Sequence, residues 1–119
     1  MVQVLALIGF ASGQALVLWA MRVNRFFSPV VRIQSERGHG VVAAGPYRHV
    51  RHPDYLGGLV CLVCGGLALG SGWAMAPLGL CVLMILRRTA LEDRFLHQQL
   101  PGYPDFAERV RHRLLPGLW

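Results

Sequence analysis

In the stretch GPYRHVRHPDYLGG, Gly45 to Gly58, the basic residues Arg48, Arg51 and His52 crowd against Pro53 and Asp54, and an uncharged apolar run follows. Proline suits the first turn of a helix, where its missing N–H costs nothing, so the spacing predicts a helix beginning at His52 or Pro53. A helix that starts there turns unpaired amides and the positive end of its dipole toward those cations. Such a cluster binds an anion, a carboxylate or a phosphate. On charge alone a plainer role is favoured: basic residues beside an apolar run hold anionic lipid headgroups and fix topology.

A second constellation, RRTALEDRFL from Arg87 to Leu96, supplies the opposite sign in Glu92 and Asp93. Arg88 and Glu92 stand four apart, the spacing of a surface ion pair worth about 0.3–0.5 kcal/mol. A chain that folds back as a hairpin delivers this acidic pair beside His52, so that basic and acidic groups meet at one mouth. A zwitterion fits there, with helix amides and Arg51 for its carboxylate and Glu92 or Asp93 for an ammonium or for ribose hydroxyls. The rings of Tyr47 and Tyr55 add faces that stack on a base or attract a sulfonium. S-adenosyl-L-methionine carries all of these parts.

The elements that must position these residues are membrane elements. Of 119 residues 54% are hydrophobic, and the mean hydropathy is +0.42, too apolar for an ordinary soluble domain of this size. Val2 to Met21 carries no charge, and at about 1.5 Å per residue it crosses a hydrocarbon core of roughly 30 Å. Arg22 and Arg25 follow this run rather than precede it, which disfavours a cleaved signal peptide. Tyr55 to Gly70 and Ala74 to Leu86 are shorter apolar runs joined by the small turn SGW, as in a helical hairpin. The third run is expected to continue as helix through RRTALEDRFLHQQL and to stop at Pro101-Gly102.

A single all-α domain of about three spans follows: a first span at 1–21, a loop at 22–54, a hairpin at 55–86, and a helix extension with tail at 87–119. In the loop, SPVVRIQ has the pattern of a short strand or extended stretch and ERGHG that of a turn. The net charge is +6 and every one of the twelve basic residues is arginine. These arginines fall in two blocks that flank apolar runs, an arrangement that speaks for membrane topology and against nucleic acid. Both blocks belong on the cytoplasmic face, which puts the amino terminus outside.

Small residues Gly57, Cys61, Gly65, Gly66 and Gly70 give the second span the look of a close-packing face. Cys61, Cys64 and Cys81 lie in apolar runs with no further ligand set, so they read as buried packing residues and no metal is expected. In the tail, Phe106, Val110 and Leu114 recur at four-residue spacing between arginines, the pattern of an interfacial amphipathic segment.

Taken in order, GPYRHVRHPDYLGG, the hairpin, LEDRFL and YPDFAERVRHRLLPGLW resemble the cofactor-binding half of the isoprenylcysteine carboxyl methyltransferase family, which is related to the phospholipid N-methyltransferases. The resemblance runs from about Asn24 to Trp119. It implies a multi-pass membrane enzyme that takes S-adenosyl-L-methionine from the cytosol and a lipophilic acceptor from the bilayer. By position it implies cofactor contacts from Tyr47, Arg51, His52, Pro53, Tyr55, Gly57, Glu92 and Asp93, and catalytic roles for Arg51, Glu92 and Arg113; Arg113 and Pro116 match the closing pattern. Two positions depart: Asp93 stands where a second glutamate is usual, and Asp54 where a small or apolar residue is. Relatives usually carry more spans before this core, so the chain reads as a piece of a longer protein, a minimal version, or a protomer that completes its site as a homo-oligomer.

A carboxylate acceptor needs no general base, and Arg51 or Arg113 would orient it; an amine acceptor would call on Glu92, His49 or His52. Two other readings stand beside this one. A sterol-type membrane reductase with a similar RHPxYxG segment would use NADPH, and a noncatalytic small membrane protein would use its arginines only to hold anionic lipid.

Overall fold

Helix α1, Val2–Val23, is apolar on every side, yet only Ala6, Gly13 and Ala20 are buried. Their seven-residue spacing marks one narrow stripe, and that stripe lies against α2, Pro53–Leu69. The two backbones approach so closely that a Cβ on Gly13 would stand 2.8 Å from the Gly57 carbonyl oxygen, and one on Gly57 would stand 2.7 Å from the Gly13 carbonyl oxygen. Small residues at the crossing of apolar helices permit this approach, where van der Waals packing rather than water exclusion holds helices together. Gly9 meets Cys64 and Gly65 meets Phe10 along the same seam. The spaced small residues of the second span are therefore packing residues. Cys61 and Cys64 share that seam as free thiols, whereas Cys81, expected to be buried, faces outward.

The computed structural model describes residues 1–119, and it is all-helical. Helix α2 starts at Pro53 with His52 preceding it and ends at Gly70, whose φ of 63° closes the last turn. A short 3-10 turn at Gly72–Ala74 leads into α3, Met75–Gln99, so the hairpin and its helical extension stand where the sequence puts them. Two stretches, Val2–Val23 and Gly72–Gln99, are long and apolar enough to cross a membrane, while α2 has only 17 residues.

The polar end of these helices carries a small core of its own. Helix α4, Tyr103–Arg109, follows Gly102, whose φ is 83°. Tyr103, Phe106, Ala107 and Val110 pack with Ala20, Tyr47 and Leu100 into one cluster, covered by Ile33, Val41 and Val42 of the connecting loop. The tail thus differs from the expected amphipathic interfacial segment: α4 stops at Arg109, and Phe106, Val110 and Leu114 are 2%, 8% and 0% exposed. Their four-residue spacing serves a core instead of a lipid surface. In the loop, residues 31–34 are irregular and form no strand, and Ser35–Arg37 forms a 3-10 turn closed by Gly38.

Candidate functional site

The start of α2 is stapled to the tail by backbone. The Arg51 N–H donates to the His112 carbonyl and the His52 N–H to the Arg113 carbonyl, both at 2.9 Å. Beneath this staple lies Asp93, 1% exposed. Its Oδ1 stands 2.9 Å from Arg51 Nε and 3.2 Å from His52 Nε2, and it accepts the Tyr103 hydroxyl at 2.7 Å. Its Oδ2 accepts Arg51 at 3.0 Å and Arg113 Nε at 3.1 Å. A buried charge survives only when paired and hydrogen-bonded, and two guanidiniums, a phenol and an imidazole do this for Asp93. Arg51 also donates to the carbonyls of Ala107 and Val110 at the end of α4, each at 3.3 Å. Its guanidinium is thus engaged inside the protein. Burial first, and then the Asp93 charge, pushes the Tyr103 phenol well above its ordinary range, so Tyr103 acts here as a donor.

Glu92 points elsewhere. It accepts the Tyr55 hydroxyl, and that hydroxyl oxygen accepts Arg88 Nε at 2.8 Å. Arg88 reaches on to the Pro29 carbonyl of the loop and lies 5.8 Å from the centre of the Tyr55 ring. The expected Arg88–Glu92 ion pair is replaced by a relay through Tyr55, and one face of that ring is covered.

Between loop and helices opens a cleft of about 80 Å³ whose walls include Phe26, Tyr47, His52, Asp54, Glu92 and Leu96. Tyr47 is buried, and burial together with the nearby Asp54 charge pushes its phenol up; its oxygen accepts Asn24 Nδ2 at 3.2 Å. The loop wall is built on Gln34, 1% exposed. Gln34 donates Nε2 to the Phe26 carbonyl at 2.7 Å, accepts Arg37 at 2.7 Å, and gives its backbone N–H to His39 Nδ1 at 3.0 Å. The His39 ring stacks on Phe26 at 4.4 Å. Burial, and then the charges of Arg32 and Arg37, hold the His39 pKa below its usual value.

The residues singled out in the sequence divide accordingly. Tyr47, Arg51, His52 and Glu92 reach the cleft. Asp93 and Arg113 lie in the buried network, Tyr55 flanks the cleft through Glu92, Pro53 is buried at the helix start, and Gly57 faces α1. Sequence reasoning passed over Asp54 as a wall residue and Tyr103 as a partner of Asp93. Asp54 was visible as a departure from the resembled pattern, and Tyr103 as part of the quoted YPDF segment.

Residues 4–98, which hold most of α1, most of the cleft lining and the acidic pair, match the Isoprenylcysteine carboxyl methyltransferase (ICMT) family. The chain belongs to this family. Among curated ICMT relatives, it is 32% identical over 89 residues to Protein-S-isoprenylcysteine O-methyltransferase A of Arabidopsis thaliana, covering 73% of this chain and 45% of that protein. It is 29% identical over 101 residues to the Probable protein-S-isoprenylcysteine O-methyltransferase of Oryza sativa subsp. indica, and equally to that of subsp. japonica, covering 83% of this chain and 52% of each. The chain therefore spans about half the length of the curated relatives it matches. No solved structure matches it significantly. ICMT membership and the two long apolar helices make it an integral membrane protein. The ICMT match ends at residue 98, so the tail that braces Asp93 lies beyond it.

Proposed function

We propose that this chain is the cofactor-binding part of a membrane methyltransferase that uses S-adenosyl-L-methionine to methylate the carboxylate of a lipophilic, isoprenylcysteine-type acceptor. The carrying observation is that, in an ICMT-family chain, Glu92 and Asp54 face one cleft together with Phe26 and Tyr47, at the polar end of the apolar helices. Two carboxylates among aromatic rings fit the cationic and aromatic parts of that cofactor. Arg51 is engaged by Asp93 and α4, so the guanidinium left to meet a ligand carboxylate at the rim is Arg32, which pairs only with exposed Glu36 at 2.8 Å.

When bound, the cofactor would supply a methyl group on a sulfonium; its transfer to an acceptor carboxylate oxygen would form a C–O bond and break the C–S bond, leave the bonding pair on sulfur, and require no proton transfer. The chain's task is then to align the two partners and exclude water. Glu92 holds the cationic side of the cleft, fixed by the Tyr55 hydroxyl. The buried Arg51–Asp93–Arg113 network keeps the start of α2 in place against the tail. Both basic blocks face the cytoplasm in this reading, so the cofactor arrives from that side and the acceptor from the lipid. The outward apolar faces of α1 and α3 leave room for membrane lipids and for a second copy.

Purified chain in lipid nanodiscs, incubated with S-adenosyl-L-methionine labelled in its methyl group and with S-farnesyl-N-acetylcysteine, tests this. Label recovered as a base-labile methyl ester is expected. Label on an amine-bearing lipid, or none on any acceptor while NADPH binds, contradicts it.

A further inference from the structure

One carboxylate of the cleft wall is left by the fold without a partner. Of the six acidic residues, Glu36 pairs with Arg32, Asp93 with Arg51 and Arg113, and Glu92 accepts the Tyr55 hydroxyl. Asp105 and Glu108 are exposed on α4, where water solvates them. Asp54 is different. It is half-buried, it lines the cleft together with Glu92, and no side chain donates to it or pairs with it.

Asp54 lies in the first turn of α2, whose amide end supports a negative charge. Partial burial makes that charge costly while it stays uncompensated. Two carboxylates on the walls of a cleft of about 80 Å³ also repel each other, and a cation between them relieves both. Glu92 shares its charge with the Tyr55 hydroxyl and, through that oxygen, with Arg88. The charge of Asp54 is left for a ligand.

S-adenosyl-L-methionine loses a positive charge when it reacts. Before transfer it carries an ammonium, a carboxylate and a sulfonium; afterwards the sulfur is a neutral thioether. Contacts to its base and ribose are common to both forms, so only groups that sense the sulfonium tell them apart. We propose that Asp54 is a specificity residue, whose unpaired carboxylate makes the cleft favour S-adenosyl-L-methionine over the demethylated product, S-adenosyl-L-homocysteine. This rests on the cofactor assigned to the cleft above. Spent cofactor then leaves and competes weakly with fresh cofactor, a discrimination that is a difference of two affinities set by one charge.

Calorimetric titration of the full chain in nanodiscs, with each of the two compounds and no acceptor, tests this. The quantity read is the ratio of their dissociation constants, product over cofactor; a partly unfolded sample changes the number of sites and leaves that ratio intact. The wild type is expected to give a ratio above one. Asp54→Asn lowers it by about fivefold, the worth of one charge pair at water-like screening, while Asp54→Glu retains most of it. Asp105→Asn, the same change of charge outside the cleft, leaves it unaltered. A wild-type ratio of one or less, a ratio unmoved by Asp54→Asn, or an equal fall in Asp105→Asn would each overturn the proposal and leave the cofactor assignment standing. Failure of both compounds to bind the wild type would overturn the cofactor assignment and this proposal with it.

Discussion

Glu92 and Asp93 are neighbours in sequence and belong to different environments. Successive residues on a helix point about 100° apart, so one faces the cleft and the other the tail. The sequence showed an acidic pair but not this division, because the tail that claims Asp93 arrives from beyond Pro101 and only the fold places Tyr103 and Arg113 beside it. The shorter carboxylate at position 93 was the one visible sign. Asp93→Ala leaves Arg51, itself 8% exposed, without a counter-charge. A loss of about 3–5 kcal/mol is expected, read by denaturant unfolding in detergent; a loss near zero would show the network to be ornamental. His39 gives a second expectation at this scale. Its pKa is lowered in the fold by burial and by Arg32 and Arg37, so the unfolded loop takes up a proton first. Loop stability is then complete above the usual histidine pKa of about 6.5 and falls as pH drops through that value toward the depressed one. Amide exchange checks it: protection of the Gln34 N–H, which His39 Nδ1 accepts, should fall between neutral and mildly acidic pH, and protection that does not change with pH contradicts the assignment.

Among the elements, the three long helices were legible because their apolar runs and their stops are local features: Pro53 at the start of α2, Gly70 after it, and Pro101-Gly102 beyond α3. The short tail helix was misjudged, since four-residue apolar spacing describes a core face and a membrane-surface face equally well. The α1–α2 seam supplies the sharpest test at this scale. Gly57→Leu forces a Cβ to 2.7 Å from the Gly13 carbonyl oxygen, so the helices must part. A cost of about 1–3 kcal/mol, seen as a lowered unfolding midpoint, is expected. Gly58→Leu, whose Cβ would meet nothing within 4 Å, should leave the midpoint in place. Equal effects at the two glycines would show that the seam does not hold the helices.

For the whole molecule, the division of labour is between an apolar bundle and a polar cap. The cap has the buried core, the charge network and the cleft, while most large exposed apolar residues lie on α1 and α3. Composition made the bundle legible; the cap was not, because its core draws on residues as far apart as Ala20, Tyr47 and Phe106. In the proposed topology the two blocks of six arginines put the cap on the cytoplasmic side. A reporter fused after Trp119 that matures only in the cytosol should be active, and the same reporter before Met1 silent; the reverse would invert the topology. The central claim is that Glu92 holds S-adenosyl-L-methionine in the cleft, and calorimetric titration of the purified chain with that cofactor tests it most directly. Saturable binding that weakens by about tenfold or more in Glu92→Gln is the expected result, and no binding to the wild type, or equal binding to both proteins, would contradict it.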